Sequence, residues 1–296
     1  MRKLSVSEWC CAVRFNKNDD NSIMTDLSTP FVVLPNSKRY WCADPFLFQK
    51  DDYYFVFFEA YDRLKRKGVL GYRQITEHTA GDIHIIYEAT SHLSYPFIYE
   101  TDGNLYIVPE SNMFGELYRL KCLSFPNHWE KEKVLMHERL VDSTFFSHNQ
   151  EQYCFSTTVD DGLLFDRLDL FHCVNGEWVP CPRNPVKRDL SSARGAGKCF
   201  EQDGVWYRPS QDCSDGYGCA LCLNAMDKID SNEYLEHCVK KLQPVDIKTN
   251  TGIPYQGIHT YNRLNHVEVI DLKTPPELHI LNLIGGFWKR VRSKIK

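Results

Sequence analysis

One sixteen-residue pattern occurs four times in this chain and restricts the fold more than any other feature. "DPFLFQKDDYYFVFFE" (44–59), "YPFIYETDGNLYIVPE" (95–110), "DSTFFSHNQEQYCFST" (142–157) and "GAGKCFEQDGVWYRPS" (195–210) align without a gap. Each has two runs rich in aromatic and β-branched residues around a polar turn, the signature of a β-hairpin. The copies start 51, 47 and 53 residues apart, and a weaker fifth, "HTYNRLNHVEVID", begins a further 64 residues on at His259. A period near fifty with several short strands per unit is the scale of a propeller blade. Five copies predict an all-β chain, a five-bladed β-propeller. Only 38 residues remain from His259 to the C-terminus. An N-terminal strand, "CAVRF" or "FVVLP", is therefore expected to complete the last blade and close the ring. A β-sandwich of similar hairpins is the alternative.

The 296 residues are 43% apolar and 13% aromatic, enough to fill a sizeable core, and the net charge of −4 excludes the chain as a whole from nucleic-acid binding. No run of about 18 apolar residues occurs, so no spanning helix is expected. "MRKLSVSEWCCAVRF" lacks an apolar core and a small-residue cleavage site, so no signal peptide is read there and a cytoplasmic location is expected. The twelve cysteines are scattered, and "CALC" (219–222) is the only CxxC, with no second pair at zinc spacing. Several lie within apolar runs, which reads as reduced core thiols.

In a propeller, the ends of the innermost strands converge on one funnel. The repeat-start positions Asp44, Tyr95, Asp142, Arg194 with Gly195, and His259 would ring it. They carry different polar groups, as expected of a site grafted on a symmetric scaffold. Glu59 and Glu110 end the first two repeats, where Thr157 and Ser210 stand in the next two, so the acid is not needed to build a blade. Pro45 is expected to hold Asp44 in extended geometry. Lys187, Arg188, Arg194 and Arg208 bring four cations within 22 residues, alongside Asp189, Gln211 and Asp212. Arginine forks and a glycine-rich turn suit phosphate; a surface loop balanced by Asp189 and Asp212 is the plainer reading. No P-loop and no GxGxxG is present.

"ADPF" with its aromatic hairpin resembles the first blade of five-bladed propeller glycosidases of the arabinanase and xylosidase type. A closer resemblance is carried by "ADPFLF…FFEAYD…KGVLGY", "YPFIYETDGNLYIVPES", "ERLVDSTFF", "RNPVKRDLSSARGAG", "YRPSQDCSDGYG" and "GIHTYN". These are similar to the propeller domain of plant glucosamine inositolphosphorylceramide transferases and of bacterial relatives associated with polysaccharide assembly. The resemblance covers about residues 30–272, with Gly195 standing where the family's segment would have proline. It implies glycosyl transfer, including pentofuranosyl or phosphoribosyl transfer, from an anionic activated donor to a carbohydrate acceptor. On that reading Asp44 is the general base, with Asp142 and Glu110 as the other catalytic carboxylates. Arg194, Arg208 and Lys187 would hold donor phosphate; Glu59, Tyr95, Gln211, Asp212 and His259 would contact substrate. A furanoside hydrolase using Asp44 with Glu110 or Asp142 is one alternative, and a non-catalytic carbohydrate-binding propeller another. No metal site is expected, and Mg²⁺ held by carboxylates and a donor diphosphate is compatible with the sequence without being demanded by it.

The tail "LNLIGGFWKRVRSKIK" has five Lys or Arg among its last ten residues, with Phe287, Trp288, Val291 and Ile295 near helical spacing. That is the pattern of a basic amphipathic helix lying on anionic lipid. The expected organisation is a propeller over 1–278 and this tail over 279–296, peripheral on the inner face of a membrane.

Overall fold

A computed structural model describes residues 5–17, 22–159, 165–282 and 284–285. They form a five-bladed β-propeller with one short helix at the C-terminal end of the described residues. Blade 1 is built from Tyr40–Lys50, Tyr53–Asp62, Lys67–Ile75 and His84–Tyr87. Blade 2 is Ser94–Thr101, Asn104–Glu110, Leu117–Ser124 and His128–Met136. Blade 3 is Leu140–His148, Glu151–Thr158, Arg167–Val174 and Glu177–Pro180, with Lys187–Arg188 added against its third strand. Blade 4 is Phe200–Gln202, Val205–Asp212, Ala220–Ile229 and Tyr234–Leu242.

Blade 5 is assembled from both ends of the chain. The C-terminal hairpin Tyr261–Leu264 and Val267–Lys273 is followed outward by Trp9–Phe15 and then Val32–Val33, so both expected N-terminal segments are used. Trp9–Phe15 pairs with the hairpin over seven residues, from Trp9 opposite Lys273 to Phe15 opposite Val267. Glu268 fixes this clasp from inside. It accepts from Arg14 Nε at 2.8 Å and Nη2 at 2.5 Å, Asn16 Nδ2 at 2.8 Å, the Ile23 amide at 2.6 Å and the Tyr261 hydroxyl at 2.6 Å. So many donors compensate a charge that would otherwise be costly to bury.

Apolar side chains from facing blade surfaces fill the wedges between sheets, as with Phe46, Phe57, Tyr95, Phe97 and Trp129 between blades 1 and 2. All twelve cysteines are free thiols, most of them buried. Residues 286–296, with Phe287, Trp288, Val291 and Ile295 of the basic tail, lie outside the described residues.

The repeat start is a structural device. In blades 1, 2 and 3 the pairing of the first two strands skips between Ala43 and Phe46, Ser94 and Phe97, and Val141 and Thr144. Within each skip one residue has positive φ: Asp44 at 50°, Tyr95 at 45° and Asp142 at 51°. A bulge of this kind re-aims one side chain out of the strand's alternation. Extended geometry at Asp44, expected from Pro45, is therefore not what forms. The bulge takes Asp44 left-handed, a conformation that Asp tolerates better than most residues.

Candidate active site in the axial funnel

The bulges and the upper ends of the returning strands bring Asp44, Glu59, Glu110, Asp142, Arg194, Gln211 and His259 into one polar cluster around the axis. Two sub-assemblies organise it. In the first, Asp44 is held on three sides: Oδ2 accepts from the Tyr95 amide at 3.1 Å, Oδ1 from Thr260 Oγ1 at 3.0 Å, and its own amide donates to Asp271 Oδ2 at 2.9 Å. His259 lies between the two aspartates, with Nδ1 2.6 Å from Asp271 Oδ2 and Nε2 3.8 Å from Asp44 Oδ1. Its ring is stacked on Trp9 of the closing strand, centroids 3.8 Å apart and planes 9° apart. Gly218 and Gly257 make room for that stack, since a Cβ on Gly218 would come within 2.9 Å of the Trp9 ring and one on Gly257 within 3.2 Å.

The electrostatics follow from this burial. Loss of water pushes the Asp44 carboxyl up to about 6; His259 opposes the rise, and Asp142 and Asp271 add to it. Burial alone would lower the His259 imidazolium, but the Asp271 and Asp44 carboxylates outweigh it and the net shift is upward. Asp44, His259 and Asp271 also place one ligand atom each within 4.8 Å of one another. They do not suit a divalent ion. Asp271 Oδ1 already accepts the His259 and Thr260 amides, at 3.0 Å and 2.9 Å, and Oδ2 the Asp44 amide and His259 Nδ1. No lone pair is left to turn toward a metal.

The second assembly is Asp142 with Arg194 and Gln211. Asp142 Oδ2 accepts from Arg194 Nε at 2.6 Å and Gln211 Nε2 at 3.1 Å, while Gln211 also donates to the Gly195 carbonyl at 2.9 Å. Gly195 packs closely here: a Cβ there would sit 3.0 Å from the Asp142 carbonyl oxygen, a tight contact that a small shift would relieve. The Arg194 guanidinium packs against Phe165 and Tyr217, 5.2 Å and 5.0 Å from their ring centres. Among the described residues its two terminal amino groups make no hydrogen bond.

Two further carboxyls are held well above the usual range. Burial is the first cause for Glu110, reinforced by Asp142 and opposed by Arg194. Burial is again the first cause for Glu59, with Asp44 next. Among the described residues Glu59 Oε1 has no hydrogen-bond partner, and it lies 3.5 Å from His92 Nε2. The Gly68 amide donates to His92 Nδ1 at 2.9 Å, so a neutral His92 carries its proton on Nε2, facing Glu59.

The funnel has a floor. The Tyr95 hydroxyl meets Thr144 Oγ1 at 2.7 Å and accepts from the Gly197 amide at 2.7 Å. Asn262 accepts the Lys198 amide and donates to the Pro45 carbonyl, each at 2.7 Å. These bonds join all five blades across the axis.

Four residues expected in the site are placed elsewhere. The Tyr95 side chain is part of the floor and fully buried, so it cannot touch a substrate; its backbone amide is what serves Asp44. Arg208 is 1% exposed and donates to both Glu236 oxygens and to the Ser192 and Ala193 carbonyls, which leaves it no free fork for a phosphate. Lys187 is paired with the same Glu236 at 2.7 Å. Asp212 is buried, accepts the Ser214 amide and hydroxyl at the start of a turn, and pairs with Lys241. The cation-rich stretch of blade 4 is thus mostly internal ion pairing, because Glu236 on the outermost strand neutralises two of its members.

Asp271, Thr260, Trp9, Tyr217 and Phe165 were not singled out in the sequence. Asp271 had a signal. It stands near the end of the second strand of a hairpin as Glu59 and Glu110 do, but the fifth hairpin is shorter, and a gapless alignment sets Thr274 in that place. Trp9 gave no local signal, since it reaches the site only through ring closure.

The family model described as glucosamine inositolphosphorylceramide transferase 1, N-terminal, matches residues 20–276. The Arabidopsis thaliana glucosamine inositolphosphorylceramide transferase 1 is 28% identical over 265 residues, 86% of this chain and 33% of that protein. The protein of the same name from Oryza sativa subsp. japonica is 32% identical over 242 residues, 78% of this chain and 31% of that protein. The chain spans about a third of the length of these curated relatives. Among solved structures, the catalytic domain of Coprinopsis cinerea GH62 α-L-arabinofuranosidase superposes with a TM-score of 0.56 at 11% identity, covering 79% of this chain and 91% of that one. A family 117 glycoside hydrolase of Zobellia galactanivorans gives 0.54 at 10% identity, covering 93% and 91%. At such identities these two likenesses speak for the fold alone. The match over 20–276 does more: the chain belongs to the family of the glucosamine inositolphosphorylceramide transferase N-terminal region.

Proposed function

We propose that this chain is a glycosyltransferase of surface-polysaccharide or glycolipid assembly, moving a sugar from an anionic activated donor to a hydroxyl of a carbohydrate acceptor. The observation that carries the reading is a restrained, buried carboxylate in one cluster with a guanidinium that, among the described residues, is ion-paired with Asp142 through Nε only. Asp44 is fixed by the Tyr95 amide and Thr260, and Arg194 keeps its terminal N–H groups free of protein partners among the described residues. Ionised Asp44 removes the acceptor's hydroxyl proton as the new bond forms between that oxygen and the sugar's anomeric carbon. The bond from that carbon to the donor's phosphate oxygen breaks, and the phosphate leaves with the electron pair, its charge met by Arg194. His259, held by Asp271, steadies the charge on Asp44. Asp142 and Gln211 fix Arg194, and Glu110 and Glu59, whose carboxyls burial holds well above the usual range, face the sugar hydroxyls.

Family membership supports transfer: the named relatives are transferases, and their names place glucosamine and an inositol phosphoceramide in the reaction. A phosphoribosyl or pentofuranosyl diphosphate is the leading donor, since a strongly anionic leaving group suits the two terminal amino groups of Arg194, which have no protein partner among the described residues. The acceptor is then a glycan borne on lipid, reached from the inner face of a membrane with help from the basic tail.

A glycoside hydrolase is the second reading, favoured by one observation. Burial and the neighbouring Asp142 push the Glu110 carboxyl well above its usual range, the direction that a general acid of a hydrolase needs. A carbohydrate-binding propeller without catalysis is the third. The test is product identity by mass spectrometry after incubation with phosphoribosyl diphosphate, nucleotide sugars and oligosaccharide acceptors. An acceptor heavier by one donor sugar supports transfer. Shortened oligosaccharide without donor use overturns it for the hydrolase, and unchanged substrates with measurable sugar binding leave the binding module.

A further inference from the structure

We infer that the rim around the funnel is a lipid-docking surface that seats the funnel's mouth on an anionic bilayer. In each blade the first strand runs away from the funnel and the second returns. The turns after second strands and the segments leading into first strands therefore share the funnel end of the molecule. Large apolar side chains stand exposed there from separate parts of the ring: Leu64 in blade 1, Met113 and Phe114 in blade 2, Leu190 on the approach to blade 4, and Ile280 and Ile284 after blade 5. Met113 is 65% exposed and Ile280 70%. An area spread over this many loops is too wide for one small ligand and matches an extended surface.

These side chains project from closed backbone. Asp62 Oδ1 accepts the Leu64 and Lys65 amides at 2.9 Å and 3.0 Å. Ser111 Oγ donates across the Met113 turn to the Glu116 carbonyl at 2.7 Å. The Leu190 carbonyl takes the Cys213 amide at 2.9 Å. Ile280 and Ile284 lie one helical turn apart, on one face. An apolar tip on an already ordered turn gives up little freedom on docking.

The end of the described chain tells which surface. A Cβ on Gly285 would lie 2.3 Å from the Arg63 carbonyl oxygen and 2.9 Å from that of Leu64, so the helix end is seated on the Leu64 turn. The described chain thus ends at the rim. The sequence that follows holds Phe287, Trp288 and five Lys or Arg in its last ten residues. Apolar tips at the edge where the described chain ends, followed in sequence by a basic segment, are the complement of an anionic lipid surface, where each cation and each inserted side chain adds to attraction. The inference rests on the reading of a lipid-borne acceptor and names where that lipid lies.

The test is flotation of the full chain with vesicles of phosphatidylcholine alone and of phosphatidylcholine with phosphatidylglycerol. Transfer to a soluble acceptor is measured on the same preparations. The full chain is expected to float with the anionic vesicles. Met113→Asp with Phe114→Asp should weaken binding at least tenfold, with the melting temperature and soluble transfer unchanged, and Ile280→Asp should weaken it likewise. A chain ending at Gly285 should keep the salt-insensitive part of binding. Full-strength flotation of the Met113→Asp/Phe114→Asp variant, total loss on removing 286–296, or no flotation of the full chain would each overturn the inference. Absence of soluble transfer in the full chain counts against the transferase reading instead, whatever the vesicles show.

Discussion

Asp44 must be charged to act as a base and yet is buried, and its neighbours settle that conflict. Burial raises its carboxyl to about 6 while His259 opposes the rise. The transfer rate is therefore expected to rise with pH through an acid limb near 6. Removing the opposing imidazole in His259→Gln should move that limb to higher pH; a kcat/KM profile in which the limb stays put or moves down contradicts the arrangement. Glu59 is a second case, with its sign in stability. The folded protein holds this proton above the ordinary value of 4.5, at pH values where the unfolded chain has lost it. Stability linked to Glu59 is thus greatest at low pH and falls as pH rises from that value. Glu59→Gln keeps the protonated shape and removes the slope. Melting scans should show the variant gaining on the parent as pH is raised, with the two alike below the ordinary value. Residue identities at the repeat starts were legible in the sequence because they break the repeat. What could not be read was which polar groups are already taken. Arg208 and Arg194 look alike in sequence, and only Glu236, two strands away in the same sheet, separates them.

The bulge at the head of blades 1, 2 and 3 is the element that turns a hairpin into part of a site. The sequence showed the hairpins through their aromatic runs, and gave their spacing. It did not show left-handed backbone at Asp44, since Pro45 argues for extended geometry, and the interblade contacts that stabilise the bulge are far away in sequence. One of those contacts makes a prediction about blade 4. Gly197 has φ 134°, and a Cβ there would be 2.0 Å from the Tyr261 carbonyl oxygen, with backbone facing backbone. Gly197→Ala is expected to cost about 2–4 kcal/mol, read as a lower denaturant midpoint with an unchanged slope. A loss under about 0.5 kcal/mol would mean that the floor joining the blades yields easily.

At the scale of the whole molecule, closure of the ring and construction of the site are one event. Trp9–Phe15 completes blade 5, and the same strand brings Trp9 onto His259. The need for an N-terminal strand followed from counting residues after His259; the stacking did not, because it depends on the glycines at 218 and 257 and on where the strand comes to rest. Arg14→Ala would leave Glu268 buried without its cation and should lower stability by about 3–5 kcal/mol. Near-UV circular dichroism should lose the signal of Trp9 in step with unfolding if closure and site are coupled. Asp44 is tested most directly by the rate at which Asp44→Asn transfers sugar from phosphoribosyl diphosphate or another accepted donor, measured beside the parent protein at neutral pH. A fall of roughly 10² to 10⁴ in kcat/KM, with donor binding and melting temperature close to those of the parent, is the predicted result. Transfer at the parental rate by Asp44→Asn would contradict the central claim that the chemistry runs at this carboxylate.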